Sequence, residues 1–306
     1  MDNLKMAWRV PPNWNVSKEH IPVDWDWFVQ LASPEMVGQE VGHYQITATL
    51  NEATNVNGQS YRAIDKTTGS AATVRVLSYW LVDSPEATEA QELFQREARS
   101  ASALNHSNIA TVYETWIYDG RAHLAMEVLE GNILRERLKA GRVSREEFFH
   151  LAIQLASAIA AAHERGILLR WCLNPASVFL TSAGDAKILD CGVERLRYAD
   201  WDLERPDAHY WCRYMAPEYA CNEPHHDTRT DIYSLGQVLY ELAVCRLPFS
   251  RALACLENRP APLAEAVDLP SRAKELILKL LERNPQDRCQ SALEVCDALK
   301  RAEACS

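Results

Sequence analysis

Before Cys172 the chain contains no cysteine, and the nine that follow, from Cys172 to Cys305, are odd in number and include no Cys-x-x-Cys pair. That argues against a disulfide framework or a zinc site and favours buried, reduced thiols acting as small hydrophobes. There is no basic excess: 32 Lys and Arg stand against 42 Asp and Glu, a net charge of −10. With no Lys/Arg cluster to offset it, this balance argues against nucleic acid and against an anionic membrane surface as partners. No apolar run is long enough to span a bilayer, the most apolar helix-like stretch being Leu151 to Ala162. The N-terminus shows no basic segment leading into an apolar one, so no signal peptide is expected and a cytoplasmic location is.

What is present is a soluble, globular composition, 47% apolar and 24% charged over 306 residues, the size of a two-lobed fold. Residues 1 to 43 read as an irregular extension, with Pro11, Pro12, Pro22 and Pro34 among Trp8, Trp14, Trp25 and Trp27. So many indoles favour burial, and the extension is expected to be a strap on the main body or a partner-docking arm. From Tyr44 the pattern alternates, predicting strands at Tyr44 to Leu50, Ser60 to Asp65 and Ala71 to Leu77, with a turn at Lys66 to Gly69. Glu86 to Leu104 reads as a helix. Strands follow near Ile109 to Tyr118 and Ala122 to Val128. Beyond Gly131 the pattern turns helical, most clearly at Arg145 to Glu164, Thr230 to Val244, Ser271 to Glu282 and Ser291 to Ala302. The expected fold class is α+β, a small β-rich lobe (residues 44–129) followed by a larger helical lobe (residues 130–306).

A series of segments then stands out in order. They are Phe94-Gln-Arg-Glu97-Ala, Leu104-Asn-His106-Ser-Asn108-Ile, Ala162-His-Glu-Arg-Gly166-Ile, Lys187-Ile-Leu-Asp190-Cys-Gly192, Tyr214-Met-Ala-Pro-Glu218, Asp231-Ile-Tyr-Ser-Leu-Gly236 and Asn284-Pro-Gln-Asp287-Arg288. From Tyr44 to about Lys300 the chain resembles the bacterial branch of the eukaryotic-type serine/threonine protein kinases. The resemblance implies a bilobal kinase fold; activity needs a separate test, because fold and chemistry separate.

In this family catalysis is mostly positioning and charge neutralisation, and the matching positions can be checked one by one. Where a glycine-rich loop would let backbone amides approach phosphates, only Gly58 remains. Arg75 stands at the position of the phosphate-contacting lysine, with Glu97 at its glutamate partner. An Arg–Glu pair can be bidentate and survive as structure, but guanidinium and ammonium are not interchangeable at a phosphate site. In the catalytic loop, the segment Gly166 to Pro175 holds one residue more than the family spacing. The base position is therefore Trp171 or Cys172, the lysine becomes Asn174 and the metal-binding asparagine becomes Ser177. Asp190 matches the metal-binding aspartate, alone a poor Mg²⁺ site, or else caps local amides. The adenine lining matches Ser60, Thr73 and Phe179, bulkier or more polar than usual. The activation segment Val193 to Arg213 has no serine or threonine. Its Asp200, Asp202, Glu204 and Asp207 could pair with Arg170, and Trp211 stands at the substrate-docking threonine.

Glu218 and Arg288 match the family's buried ion pair, and Asp231 matches the helix aspartate that holds the catalytic-loop backbone. The pattern leads to an expectation of a pseudokinase in signalling: not an enzyme, with no cofactor and weak or absent ATP binding. It would act as a protein-binding scaffold or allosteric regulator whose partner is another protein, such as an active kinase or its substrate. The alternatives are a nucleotide sensor without turnover and an atypical ATP-dependent transferase that reuses the kinase cleft.

Overall fold

The structure is a computed structural model and describes residues 36–50, 59–80, 102–118, 121–169, 173–189, 213–220, 227–249, 259–263 and 268–304. The chain divides into two compact units. Of the described residues, 36–80 and 112–128 fall in the first, and 102–111 group with the second. Most of the 1–43 extension and of the Glu86 to Leu104 helix lies outside the described residues.

The first unit is a six-stranded antiparallel sheet. Its strands are β1 (Glu40–Val41), β2 (Tyr44–Leu50), β3 (Gln59–Asp65), β4 (Ala71–Trp80), β5 (Val112–Tyr118) and β6 (Arg121–Met126), in the order β1-β2-β3-β4-β6-β5. The expected turn closes the β3–β4 hairpin. Asp65 Oδ1 accepts from the Thr67 amide (2.8 Å) and hydroxyl (2.6 Å), and Oδ2 from the Thr68 hydroxyl (2.8 Å). Gly69 takes φ 73°, a conformation that costs glycine nothing. This turn sets the register Ser60↔Arg75 and Arg62↔Thr73. Because side chains alternate across a strand, one face gathers Tyr44, Ile46, Tyr61, Ala63, Ala72, Val74, Val76 and Ala125 into a core. The predicted strand from Ile109 starts only at Val112: the Ala110 amide bonds to Ile188 O in the second unit, and Ile109 forms an isolated bridge there.

The second unit combines a three-stranded sheet, β7 (Gly131–Ile133), β8 (Val178–Thr181) and β9 (Ala186–Ile188), with helices α1 (Leu134–Lys139), α2 (Arg145–Glu164), α3 (Pro217–Ala220), α4 (Thr228–Val244), α5 (Ser271–Leu280) and α6 (Ala292–Ala304). Helix α2 starts where Ser144 accepts from the Glu147 amide at 3.1 Å, the Ser-x-x-Glu start signal. Its Phe148, Leu151, Ala152, Leu155, Ile159 and Ala162 are buried at helical spacing. Helix α4 is buried on nearly all sides, from Thr230 to Val244. There a Cβ on Gly236 would meet Leu280 Cβ at 2.7 Å, so α4 and α5 pack this closely only with glycine at 236. A helix so enclosed must satisfy its polar side chains internally, and those side chains build the site.

Candidate functional site

Asp231 lies in the first turn of α4, fully buried. Its Oδ2 accepts from the Leu169 backbone amide at 2.8 Å and from His163 Nε2 at 2.8 Å. One carboxylate thus holds the end of α2 and the residue that opens the catalytic-loop segment. Charge-assisted hydrogen bonds from buried donors are the strong kind, so this contact fixes the Leu169 backbone against α4.

The second anchor is the Glu218–Arg288 pair, both members buried. Arg288 donates bidentately, Nη1 to Glu218 Oε1 and Nη2 to Oε2, each at 2.8 Å. Its remaining donors reach Glu282 O (2.7 Å), Arg229 O (2.9 Å) and Arg283 O (2.9 Å), and its plane lies over the Tyr233 ring at 4.8 Å. Every N–H of the guanidinium therefore has an acceptor, the condition under which a buried charge is tolerated. Tyr214, which opens the segment ending at Glu218, is held twice by α4. Ser234 Oγ donates to Tyr214 O at 2.8 Å, and the Tyr214 hydroxyl donates to Glu241. Burial pushes the Glu241 carboxyl up, against the pull of that hydrogen bond.

Asn174 and Ser177 form a closed turn. Ser177 Oγ accepts from the Asn174 amide (3.0 Å) and donates to Asn174 O (2.9 Å), which also accepts from the Ser177 amide (3.0 Å). Asn174 Oδ1 accepts from the Ala176 amide at 2.8 Å. The turn is tied outward through Pro175 O to the Arg135 amide and through Ser177 O to the Leu189 amide. Next along the chain, Phe179 is buried in β8, in register with Ile133 on one side and Lys187 on the other. Behind it, Asn108 Nδ2 donates to Ala186 O (2.8 Å) and Gln154 Oε1 accepts from the Ala186 amide (2.7 Å).

In the first unit, the register places Ser60, Thr73, Arg75, Leu124 and Met126 on the sheet face opposite its core. All five are buried, Arg75 at 2% exposure. A buried guanidinium among apolar neighbours holds its charge only with partners. Gly58, Glu97, Arg170, Trp171, Cys172, Asp190 and Trp211 lie outside the described residues. The sequence-based list omits His163 and the Tyr214–Glu241 pair. His163 sits inside the Ala162-to-Ile167 motif, where only its contact with Asp231 reveals it. The Tyr214–Glu241 pair spans separate segments, with nothing in either to announce the other.

These residues can be tested against the groups the fold implies. The Ser60–Arg75 face sets a buried guanidinium beside two buried hydroxyl side chains and the apolar Leu124 and Met126. In the Ser177 turn the hydroxyl spends its proton and one lone pair on the Asn174 backbone. Among the described residues no cluster of three or more His, Cys, Asp or Glu is placed to hold a metal ion. No helix among them is long and apolar enough to cross a membrane.

A β-sheet unit joined to a helical unit whose central helix carries Asp231, with the Glu218–Arg288 pair beneath it, defines a protein-kinase-like domain. The protein kinase domain family model matches residues 56–299, and the chain belongs to that family. A probable serine/threonine-protein kinase of Streptomyces coelicolor is 33% identical over 279 residues, covering 87% of this chain and 40% of that protein. The serine/threonine-protein kinase PknA of Mycobacterium tuberculosis is 31% identical over 277 residues, 86% of this chain and 62% of that one. A probable serine/threonine-protein kinase of Clostridium acetobutylicum is 29% identical, over 83% of this chain and 39% of its own length. The chain thus spans about 39% to 62% of the length of these relatives. Two crystal structures of the Mycobacterium tuberculosis PknI kinase domain superpose with TM-scores of 0.69 and 0.70 at 25% and 24% identity, each covering 87% of this chain and 98% of the other. The bilobal kinase fold expected from the motifs is therefore the fold found.

The expectation that the chain is not an enzyme is corrected by these findings. The family and the names of the relatives point to a phosphotransferase. The physical reason lies in magnitudes. A positioned base contributes about 10² to 10⁴ in rate, whereas enzymes accelerate by about 10⁶ to 10¹⁷. Replacement of the base at Trp171 or Cys172 therefore does not by itself imply an inactive chain, and the Asp231 and Glu218–Arg288 anchors are in place.

Proposed function

We propose that this domain is an ATP-dependent phosphotransferase of the serine/threonine protein kinase class, working at a reduced rate on an atypical catalytic loop. The observation that carries the proposal is the Asp231 carboxylate, bound to the Leu169 amide and His163. Phosphoryl transfer in this fold depends on positioning and charge far more than on covalent chemistry. Asp231 keeps the positioning element, and Arg75 keeps a permanent positive charge at the position of the family's phosphate-contacting lysine. ATP is the substrate that gives up its γ-phosphate. The acceptor hydroxyl belongs to a serine or threonine of a protein, as the names of the relatives suggest.

Incubation of the chain with γ-labelled ATP, Mg²⁺ and a mixed basic protein substrate tests this. Label is expected to enter protein slowly, about 10² to 10⁴ below the rate of a family member with an aspartate base, and to be lost on Arg75→Ala. Absence of label at millimolar ATP, with both Mg²⁺ and Mn²⁺ tried, overturns the proposal. The cytoplasmic location and the binding of a further protein partner through the Trp-rich extension belong to the same reading. A pull-down with and without residues 1 to 43 tests the latter.

A further inference from the structure

His106 belongs to residues 102–111, which group with the helical unit. Its ring is engaged at both nitrogens. Nδ1 accepts from the Asn108 backbone amide at 3.1 Å, and Nε2 lies 3.1 Å from the Ser157 hydroxyl of α2. A backbone N–H can only donate, so Nδ1 carries no proton and Nε2 holds the single proton of a neutral imidazole. The same turn closes through the Ile109 amide on His106 O at 3.0 Å and aims Asn108 at β9. There Asn108 Nδ2 donates to Ala186 O (2.8 Å), Asn108 O accepts from the Ile188 amide (2.9 Å), and Ile188 O accepts from the Ala110 amide (2.9 Å). Asn108, Ile109 and Ala110 are buried, whereas His106 is only partly buried and within reach of solvent protons. Beyond β9 comes Leu189, whose amide bonds Ser177 O at 2.8 Å. The His106 ring thus fixes a turn that fixes β9, and β9 leads to the loop that carries Ser177.

We propose that His106 is an acid-sensitive latch on β9, closed while its ring is neutral and opened by protonation at Nδ1. A second proton on the ring has only Nδ1 to occupy, where it meets the Asn108 N–H. Two donors cannot share one hydrogen bond, so ring and amide part, and a buried amide left unpaired is costly. Burial, and after it the Lys187 ammonium of β9, hold the His106 imidazole below its ordinary value of 6.5. A histidine depressed in this way contributes stability in full above 6.5 and loses it as pH falls from there toward the lower folded value. The segment 102–111 holds no other titratable side chain. On α2, His150 lies two turns before Ser157 and bonds Asp185 Oδ1 at 2.9 Å. Charging His150 strengthens that pair, so its response to acid is opposite in sign to the latch's.

The experiment follows the native chain and His106→Asn from about pH 7.5 to about pH 5, a span that brackets the ordinary histidine value. NMR of the ring nitrogens reads the protonation of His106. Hydrogen exchange, corrected for its intrinsic pH dependence, reads the amides of Asn108, Ala110 and Ile188 against that of Leu155 in α2. In His106→Asn the Oδ1 takes over the Asn108 amide as an Asx turn, with nothing left to titrate. At the upper pH the ring is expected to carry its proton on Nε2 alone. As the ring charges, protection of the three amides falls about tenfold, on the scale of one lost buried hydrogen bond, while Leu155 holds. His106→Asn shows no such fall. A ring protonated on Nδ1 at the upper pH, a ring that charges with the three amides unchanged, or a ring that stays neutral throughout overturns the proposal. An equal fall in His106→Asn does the same. The native titration decides even if the variant does not fold. Neither readout needs phosphate transfer, so the latch and the phosphotransferase reading stand or fall separately.

Discussion

Two groups of hydrogen bonds in the helical unit differ in how far along the chain they reach. At Asn174–Ser177 every bond within the turn spans two or three residues. At the anchors, Asp231 reaches Leu169 across 62 residues and His163 across 68, and Arg288 reaches Glu218 across 70. A local turn can be rewritten residue by residue, since its donors and acceptors travel together. A long-range contact joins elements that have already paid a large loop-closure entropy to meet, and a buried group left unpaired there is costly. That contrast explains why the helical unit keeps its anchors while the catalytic loop has changed chemistry.

The largest break in the contrast is expected at Glu218→Ala. It leaves a buried guanidinium without its carboxylate and costs about 4 kcal/mol, read as a large drop in the urea midpoint; a loss below about 1 kcal/mol contradicts the long-range side of the comparison. Asp231→Ala leaves the Leu169 amide and His163 with no acceptor and is expected to cost about 3 kcal/mol, checked by the same unfolding curves. Ser177→Ala, on the local side, is expected to cost only about 1 kcal/mol. If it matches Asp231→Ala, span is the wrong variable.

Local strain gives a smaller test of the opposite sign. Cys245 caps α4 in the left-handed region, φ 54°, the one described non-glycine residue there. Cys245→Gly is expected to raise stability by up to about 1 kcal/mol, offset in part by the lost thiol packing; a lower melting temperature would show that packing wins.

The smallest effect concerns the local turn in the sheet unit. Asp65 is lowered to about 2, chiefly by the Thr67 hydroxyl. A carboxyl depressed in the folded state contributes stability above its ordinary value of 3.8, and the contribution is lost as pH falls toward 2. An NMR titration should find Asp65 titrating near pH 2, and Thr67→Ala should move it upward. No movement would mean the turn's bonds are not what holds it.

Legibility followed the same division. Helix α2 could be read to the residue, because Ser144 and Glu147 mark its start and the apolar spacing marks its face. Asp231, Glu218 and Arg288 were legible because motifs place them and burial needs partners. The second donor at Asp231 and the Tyr214–Glu241 contact were not, since each requires two distant segments to be brought together first. The role of Ser177 was half legible. Sequence shows that an asparagine position had become serine, but only geometry shows where the hydroxyl is spent. The step from altered loop residues to an inactive chain failed for a different reason, because it treated one component of rate as the whole.

The most direct test of the central claim compares Asp231→Ala and Ser177→Ala in phosphate incorporation from γ-labelled ATP, at a temperature where circular dichroism shows both variants folded. Positioning by the long-range anchor predicts that Asp231→Ala loses about 10²-fold in rate and that Ser177→Ala loses much less. An Asp231→Ala protein that labels its substrate as fast as the native chain, or a larger loss in Ser177→Ala, would contradict it.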